Sequence, residues 1–316
     1  MKANSSALSP NLGKAKKNKT LIEMKKHTNI YLMLIPVIAF YIIFHYVPMA
    51  GIVIAFQDYK ITRGILGSAW VGFKHFKAFL NDFYFWRLLK NTLTINVSSL
   101  IFSFPMPIIL ALLLNEVRNK SFKKAVQTIT YMPHFISIVI VCGLIKNFLA
   151  TEGLFNAIIT MLGGEPVAFF TEPSYFPAIY IISGLWQEIG WSSIIYLSAL
   201  SSIDQELYEA AAIDGAGRWR QTIHITLPGL LPTIVILLIM KVGSMLSLGY
   251  EKILLLYNPA IYETADVVST YTYRQGILGG SYSYSGAIGI FNAICNIILL
   301  ASSNAISKKV TGSGLF

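Results

Sequence analysis

Six stretches of this chain stay apolar for about 20 residues or more, the length a helix needs to cross the hydrocarbon core of a bilayer. They cover approximately residues 30–56, 92–114, 128–149, 176–200, 230–254 and 285–306. Lipid offers no water to an unpaired backbone N–H or C=O, so each stretch is expected to be a helix that closes its own hydrogen bonds. The charge content agrees. Only 13% of the 316 residues are charged and 54% are hydrophobic, whereas a soluble domain carries about 25% charged residues. The first stretch exceeds the roughly 7–15 apolar residues of a secretory signal, and no small-x-small cleavage site follows, so it reads as a retained helix. Cys142 and Cys295 both fall inside spans and read as small hydrophobic residues, not as a disulfide or metal pair.

The net charge is +10, and its placement argues for a membrane orientation, not a nucleic-acid partner. Lys2, Lys14, Lys16, Lys17, Lys19, Lys25 and Lys26 precede the first span. Arg118, Lys120, Lys123 and Lys124 follow the second, and Lys308 and Lys309 follow the last. With six alternating helices these clusters share one side, cytoplasmic by the positive-inside rule, which places both termini there. Lys60, Arg63, Lys74, Lys77, Arg87 and Lys90 fall on the other side. There Phe73, Phe76, Leu80 and Phe83 recur at helical spacing, which predicts an amphipathic helix on the outer surface.

The expected organisation is a basic tail over residues 1–27, a transmembrane domain over 28–310, and a polar insert over 204–228 within it. Longer outer connections are expected over 146–175 and 257–284. No phosphate loop of the form GxxxxGK[ST] occurs, nor HExxH, GxSxG or Cys-x-x-Cys, and the five histidines are scattered. Nothing points to an enzyme.

The insert carries the strongest signal. Asp204 is placed to cap a helix that continues through Glu206 and the alanine row Ala210, Ala211 and Ala212. Small side chains let another surface approach the backbone. Gly215 and Gly217 then break the helix, a short helix follows over residues 218–225, and Pro228 suits the start of the next span. Trp219 is a candidate interface anchor, and Glu209 offers a charge to a partner's arginine. On physics alone, an interfacial re-entrant loop without a partner remains open.

Glu209-Ala210-Ala211, Asp214-Gly215-Ala216 and Ile225-x-Leu227-Pro228 resemble the EAA–G–IxLP signature of bacterial ATP-binding-cassette (ABC) importer permeases. The fuller phrase from Leu207 to Ala216 is similar to the carbohydrate-uptake, maltose-type branch, as are residues 72–93 and 184–203. The pattern also resembles the Gram-positive permeases for complex oligosaccharides. The resemblance implies an all-α membrane protein with the six-helix type I importer permease fold and a cytoplasmic EAA coupling helix. It implies a multi-pass protein of the bacterial cell membrane forming half of a sugar pathway. Its implied partners are a homologous sister permease in a heterodimer, an ATPase subunit dimer that holds the ATP and magnesium, and an extracellular sugar-binding lipoprotein. No cofactor is expected on this chain. Glu209, Ala210, Ala211, Asp214, Gly215 and Trp219 are the implied ATPase-coupling residues.

Two charges lie within spans, where ionisable side chains are functional candidates by default. Glu188 and Lys241 each fall about 12 residues, or roughly 18 Å, into oppositely running helices. They are expected to pair, or to line the sugar path. Trp186, Gln187 and Trp191 beside Glu188, with Tyr250, Asn292 and Asn296, add aromatic faces and amides suited to sugar. Core packing is the competing role for each. An ion-driven secondary transporter is the alternative function, and it leaves the signature unexplained; such proteins often show internal repeats, and none is seen.

Overall fold

The structure, a computed structural model, describes residues 26–312, 314 and 315. Apart from Lys26 and His27, the expected 1–27 tail lies outside the described residues. Twelve helices frame the molecule: α1 (Thr28–Phe56), α2 (Lys74–Leu80), α3 (Phe85–Glu116), α4 (Lys120–Phe135), α5 (Ile138–Phe148), α6 (Leu154–Met161), α7 (Phe176–Ser201), α8 (Gln205–Ile213), α9 (Arg218–Gly243), α10 (Tyr250–Leu256), α11 (Val268–Tyr273) and α12 (Tyr282–Thr311). A two-residue antiparallel ladder, Gln57–Asp58 against Ala69–Trp70, closes the turn after α1.

The six expected passes map onto α1, α3, α4 with α5, α7, α9 and α12. Four of these, α1, α3, α9 and α12, are long and apolar enough to cross a bilayer individually. The helix α7 has 26 residues, about 39 Å at 1.5 Å per residue. Gln187, Glu188 and several serines dilute its apolar character. It can carry them because α3, α4 and α9 pack around it, so its polar groups meet protein instead of lipid.

The expected pass over 128–149 is corrected. It is two helices meeting at 99°. Pro133 has no N–H to continue the ladder, and Ile136 turns extended (φ −81°, ψ 132°) before Ser137 opens α5. The pass over 230–254 is also corrected: α9 starts at Arg218 and ends at Gly243, and residues 244–249 are non-helical before α10. The separate helix expected over 218–225 is absent, because a π-helical turn at Thr222–Thr226 carries the chain directly into Leu227. Pro228 therefore lies inside a continuous helix. The helix α2 forms where expected but with another face inward. Phe79 is buried, while Phe73 and Phe83 stay exposed, because Phe79 meets the rings of Phe85 and Phe291 edge-on.

The connection between α9 and α12 is clamped to the start of α3. Asp266 is fully buried and takes both Arg274 Nη1 and Nη2, at 3.2 and 2.7 Å. Arg87 on α3 stands 3.7 Å away, and Asn91 Nδ2 donates to the backbone carbonyls of Glu263 and Asp266. A second latch joins Asp82 to the hydroxyls of Tyr271 and Tyr284, each at 2.7 Å. Burial alone would raise the Asp82 carboxyl, but hydrogen bonds from Tyr284, Tyr271 and the Tyr84 amide outweigh it and hold it below its usual 3.8. A carboxylate depressed in the folded state stabilises above its unfolded value and loses that contribution only as pH falls through the folded one. The latch is therefore constant through the neutral range.

One helix stands apart. From Thr28 to Met49, α1 buries no residue against its own chain, and only its last turns meet α12. An apolar helix with such a free surface is suited to lipid or to a second subunit.

Candidate functional site: a coupling loop and a cavity between broken helices

The insert folds as its residues dictate. Asp204 Oδ1 accepts from the Glu206 amide at 3.0 Å, capping α8. At the other end, Ala216 N donates to Ala211 O at 2.8 Å and Gly215 N to Ala212 O at 3.1 Å. That pair of bonds is a Schellman ending, which needs a left-handed residue at Gly215, where φ is +73°. Three contacts then bolt the loop to the bundle. Tyr208 Oη meets Thr226 Oγ1 at 3.0 Å, Gln221 Nε2 donates to Ala216 O at 2.9 Å, and Arg218 reaches Glu116 on α3 at 3.4 Å.

What the loop leaves free matters as much. Glu209, Ala210 and Asp214 are exposed and Ala211 is half-buried. Ile213 is 87% exposed and Trp219 76%. Among the described residues no ion pair involves Glu209. Trp219 leaves most of its surface uncovered by the described residues. Large apolar side chains on a rigidly held loop form a docking surface.

The second feature lies where several helices lose regularity. A cavity of about 460 Å³ is lined by Ser103, Phe104, Pro107, Glu188, Trp191 and Lys241, among others. Phe104 is where α3 is interrupted before Pro105. Lys241 stands in the last turn of α9, where the negative end of the helix dipole favours a cation. The bend between α4 and α5 closes on Glu188 and Trp191 from beside the cavity. His134 lies flat on Trp191, with centroids 4.4 Å apart and planes 3° apart, and its Nδ1 meets Glu188 Oε2 at 3.0 Å. Broken helices inside a membrane are tolerated where they are buried in protein or line a cavity.

The expected Glu188–Lys241 pair is therefore corrected. Glu188 pairs with His134, and Lys241 has no ion pair among the described residues. Both nonetheless line the same cavity. Gln187 instead secures the bend, donating to Ile136 O at 3.3 Å, a carbonyl the break has freed. Trp186 is half-exposed and does not line the cavity. Asn292 and Asn296 hold the second break. Asn292 Nδ2 donates to Leu246 O at 3.0 Å, Asn296 Oδ1 accepts from Leu246 N at 2.9 Å, and Asn296 Nδ2 donates to Ser247 Oγ at 2.7 Å. Tyr250 stacks on Tyr273 at 5.3 Å away from this cavity. His134 was missed, because a lone histidine in sequence gives no sign of what faces it. The neighbouring Pro133 was the available signal of a break.

Gly190 permits the bend to approach α7. A Cβ at this position would lie 2.1 Å from Thr130 O and 2.4 Å from its carbonyl carbon. Backbone cannot swing aside as a side chain can, so Gly190→Ala must part the two elements, at about 1–3 kcal/mol or more. The apparent midpoint of thermal inactivation in detergent is expected to fall for Gly190→Ala. It should hold for Gly143→Ala, where a Cβ meets nothing within 4 Å.

Residues 103–312 match the family described as "Binding-protein-dependent transport system inner membrane component". The chain is 47% identical over 304 residues to the polygalacturonan/rhamnogalacturonan transport system permease protein YteP of Bacillus subtilis (strain 168), covering 96% of this chain and 95% of that one. It is 30% identical over 287 residues to the arabinooligosaccharides transport system permease protein AraP of the same organism, covering 90% and 88%. Among solved structures it resembles a chain of a bacterial alginate ABC transporter in complex with alginate pentasaccharide-bound periplasmic protein. That match has a TM-score of 0.85 and 46% identity, and covers 93% of this chain and 98% of that one.

Proposed function

The chain belongs to the family of binding-protein-dependent transport system inner membrane components, and from that premise we propose that it imports acidic oligosaccharides as one permease subunit of an ATP-driven complex. It is a multi-pass transport subunit and not an enzyme. The observation that carries the coupling role is the capped, bolted and exposed loop from Asp204 to Thr226. A rigid helix with a bare alanine face, a free Glu209 and an exposed Trp219 is built to be pushed by another protein.

In this reading the partner ATPase dimer holds ATP and magnesium, and its closure moves α8. Thr226, Gln221 and Arg218 pass that motion into α9 and α3, both of which line the cavity. A sister permease would cover the free surface of α1 and complete the pathway, and an external binding protein would deliver the sugar. The basic clusters support a cytoplasmic position for both termini. The ion-driven alternative loses its ground, because family membership accounts for the signature.

The acidic character rests on Lys241. An ammonium without an ion pair among the described residues, in the same cavity as Trp191, suits a uronate, with the carboxylate on the cation and the sugar's C–H face on the indole face that His134 leaves open. The relatives named for polygalacturonan and alginate transport agree with that chemistry. A charge-assisted hydrogen bond contributes about 1.5–3 kcal/mol, so Lys241→Gln is expected to weaken oligogalacturonide uptake about 10–100-fold. Neutral arabino-oligosaccharides should be unaffected by the change. The overall assignment is tested by co-purification: an ATPase partner should accompany the chain, and its hydrolysis should rise when binding protein and oligogalacturonide are added together. A chain that isolates without an ATPase would remove the coupling role.

A further inference from the structure

A second cavity, of about 500 Å³, lies apart from Glu188 and Lys241 and has no role in the account above. It is formed by the end of α1, the first residue of α10, α11 with the turn that follows it, and the N-terminal third of α12. Its lining includes Tyr250, Tyr273, Tyr282, Ser269, Gly289 and Asn292. We propose that this cavity is an entry subsite, which holds one or more sugar rings of a long oligosaccharide before they reach the Lys241 cavity. The proposal rests on the transport reading and adds to it a second contact point on this chain.

Four observations support it. The volume falls inside the roughly 300–1,000 Å³ of small-molecule sites. Tyr250 and Tyr273 stack at 5.3 Å with planes 20° apart, and Tyr250 remains 39% exposed. That pair is a flat aromatic platform of the kind a pyranose C–H face covers. Ser269 Oγ and Asn292 Oδ1 are buried and have no hydrogen-bond partner among the described residues. Unpaired buried polar atoms are costly and call for an explanation, and sugar hydroxyls would satisfy both. A lipid tail could fill the space but would leave these two atoms unpaired.

The backbone also departs from regularity here. Residues Arg274–Leu278 form a π-helical turn, a feature frequent at functional sites. Within it, Gly276 lies against Ser285, where a Cβ would come within 2.6 Å of Oγ. On α12, Gly286, Gly289 and Asn292 recur at helical spacing and leave that wall low. Asn292 stands 10 residues after Tyr282, about 15 Å along the helix. The site is therefore in the outer half of the pass if that end faces outward.

The test uses the assembled importer with its ATPase and binding protein, and oligogalacturonides of two to five residues as probes. Tyr250→Ala is expected to raise the half-maximal concentration for the pentasaccharide at least about tenfold, and that for the disaccharide less than about twofold. Tyr250→Phe should behave as wild type, because the ring and not the hydroxyl is the platform. Gly289→Cys, on a Cys142→Ala, Cys295→Ala background, reports occupancy directly. A Cβ there meets nothing within 4 Å, and its maleimide labelling should slow when pentasaccharide is present during turnover. Equal uptake by Tyr250→Ala at every chain length, with labelling unchanged by sugar, overturns the subsite while the transport reading stands. A wild-type complex that no carbohydrate stimulates overturns the transport reading, and the subsite with it.

Discussion

Gly215→Pro leaves the protein inserted in the membrane and abolishes its communication with the motor. Sugar-stimulated ATP hydrolysis by the assembled complex is expected to fall to the basal rate, and uptake to fall at least about a hundredfold. The reason lies in one turn. Gly215 has φ +73°, which proline cannot adopt because its ring holds φ near −65°. Proline also lacks the N–H that Gly215 donates to Ala212 O. The Schellman ending is lost, and with it the angle between α8 and α9. The Tyr208–Thr226 and Gln221–Ala216 contacts cannot both re-form across a changed turn. The spans do not depend on this residue, so the amount of protein in the membrane should hold. Gly215→Ala tests the gradation. It keeps the N–H but pays for a left-handed Cβ, about 1 kcal/mol, and should retain part of the coupling. Ala211→Glu attacks the docking face without touching the turn and should also uncouple. Normal transport by both Gly215→Pro and Ala211→Glu would remove the coupling role.

Asp266→Ala acts through stability. Asp266 is fully buried, while Arg274 and Arg87 keep 27% and 34% of their side-chain surface exposed. Removing one partner of a buried pair costs about 3–5 kcal/mol, because the remaining charge is left uncompensated. Here the arginines retain some water, so about 3 kcal/mol is expected, equivalent to roughly a hundredfold in the folding equilibrium. Thr270 also loses its acceptor at 2.9 Å. The measurable result is a shorter half-life of the detergent-solubilised protein at fixed temperature, since large membrane proteins commonly inactivate irreversibly. Combining Asp266→Leu with Arg274→Met removes both charges and should recover much of the loss. A double variant no better than Asp266→Ala would mean that the backbone bonds from Asn91, and not the ion pair, hold this connection.

The helical, membrane-spanning class was legible because lipid enforces it: a long apolar run must close its own backbone bonds. The cap, the alanine row and the glycine turn of the insert were legible residue by residue, since they act over distances of three to six positions. Asp204 capping α8 and Gly215 turning it are local events. The breaks in the third and fifth passes were not legible. A broken helix in lipid is prohibitive unless something elsewhere satisfies it. The residues that do so, Gln187 for Ile136 and Asn292 and Asn296 for Leu246, stand some 50 positions away in the chain. The same residues had been considered as sugar contacts, because an amide inside a span looks alike in either role.

Depth behaved differently from partnership. Counting along two antiparallel runs brought Glu188 and Lys241 to one cavity, although the count began at residue 230 and α9 begins at Arg218, with Lys241 in its last turn. It could not say which of them would touch, because rotation about each axis and the path of a third element decide that. The bend at Pro133 brings His134 to Glu188 and onto Trp191, and Lys241 has no ion pair among the described residues. Local propensity and the demands of the bilayer thus set the helical class and the glycine turn after α8. Long-range packing set where those helices fail and which side chains meet at the cavity, since each of these depends on groups that only the folded chain brings within a few ångströms.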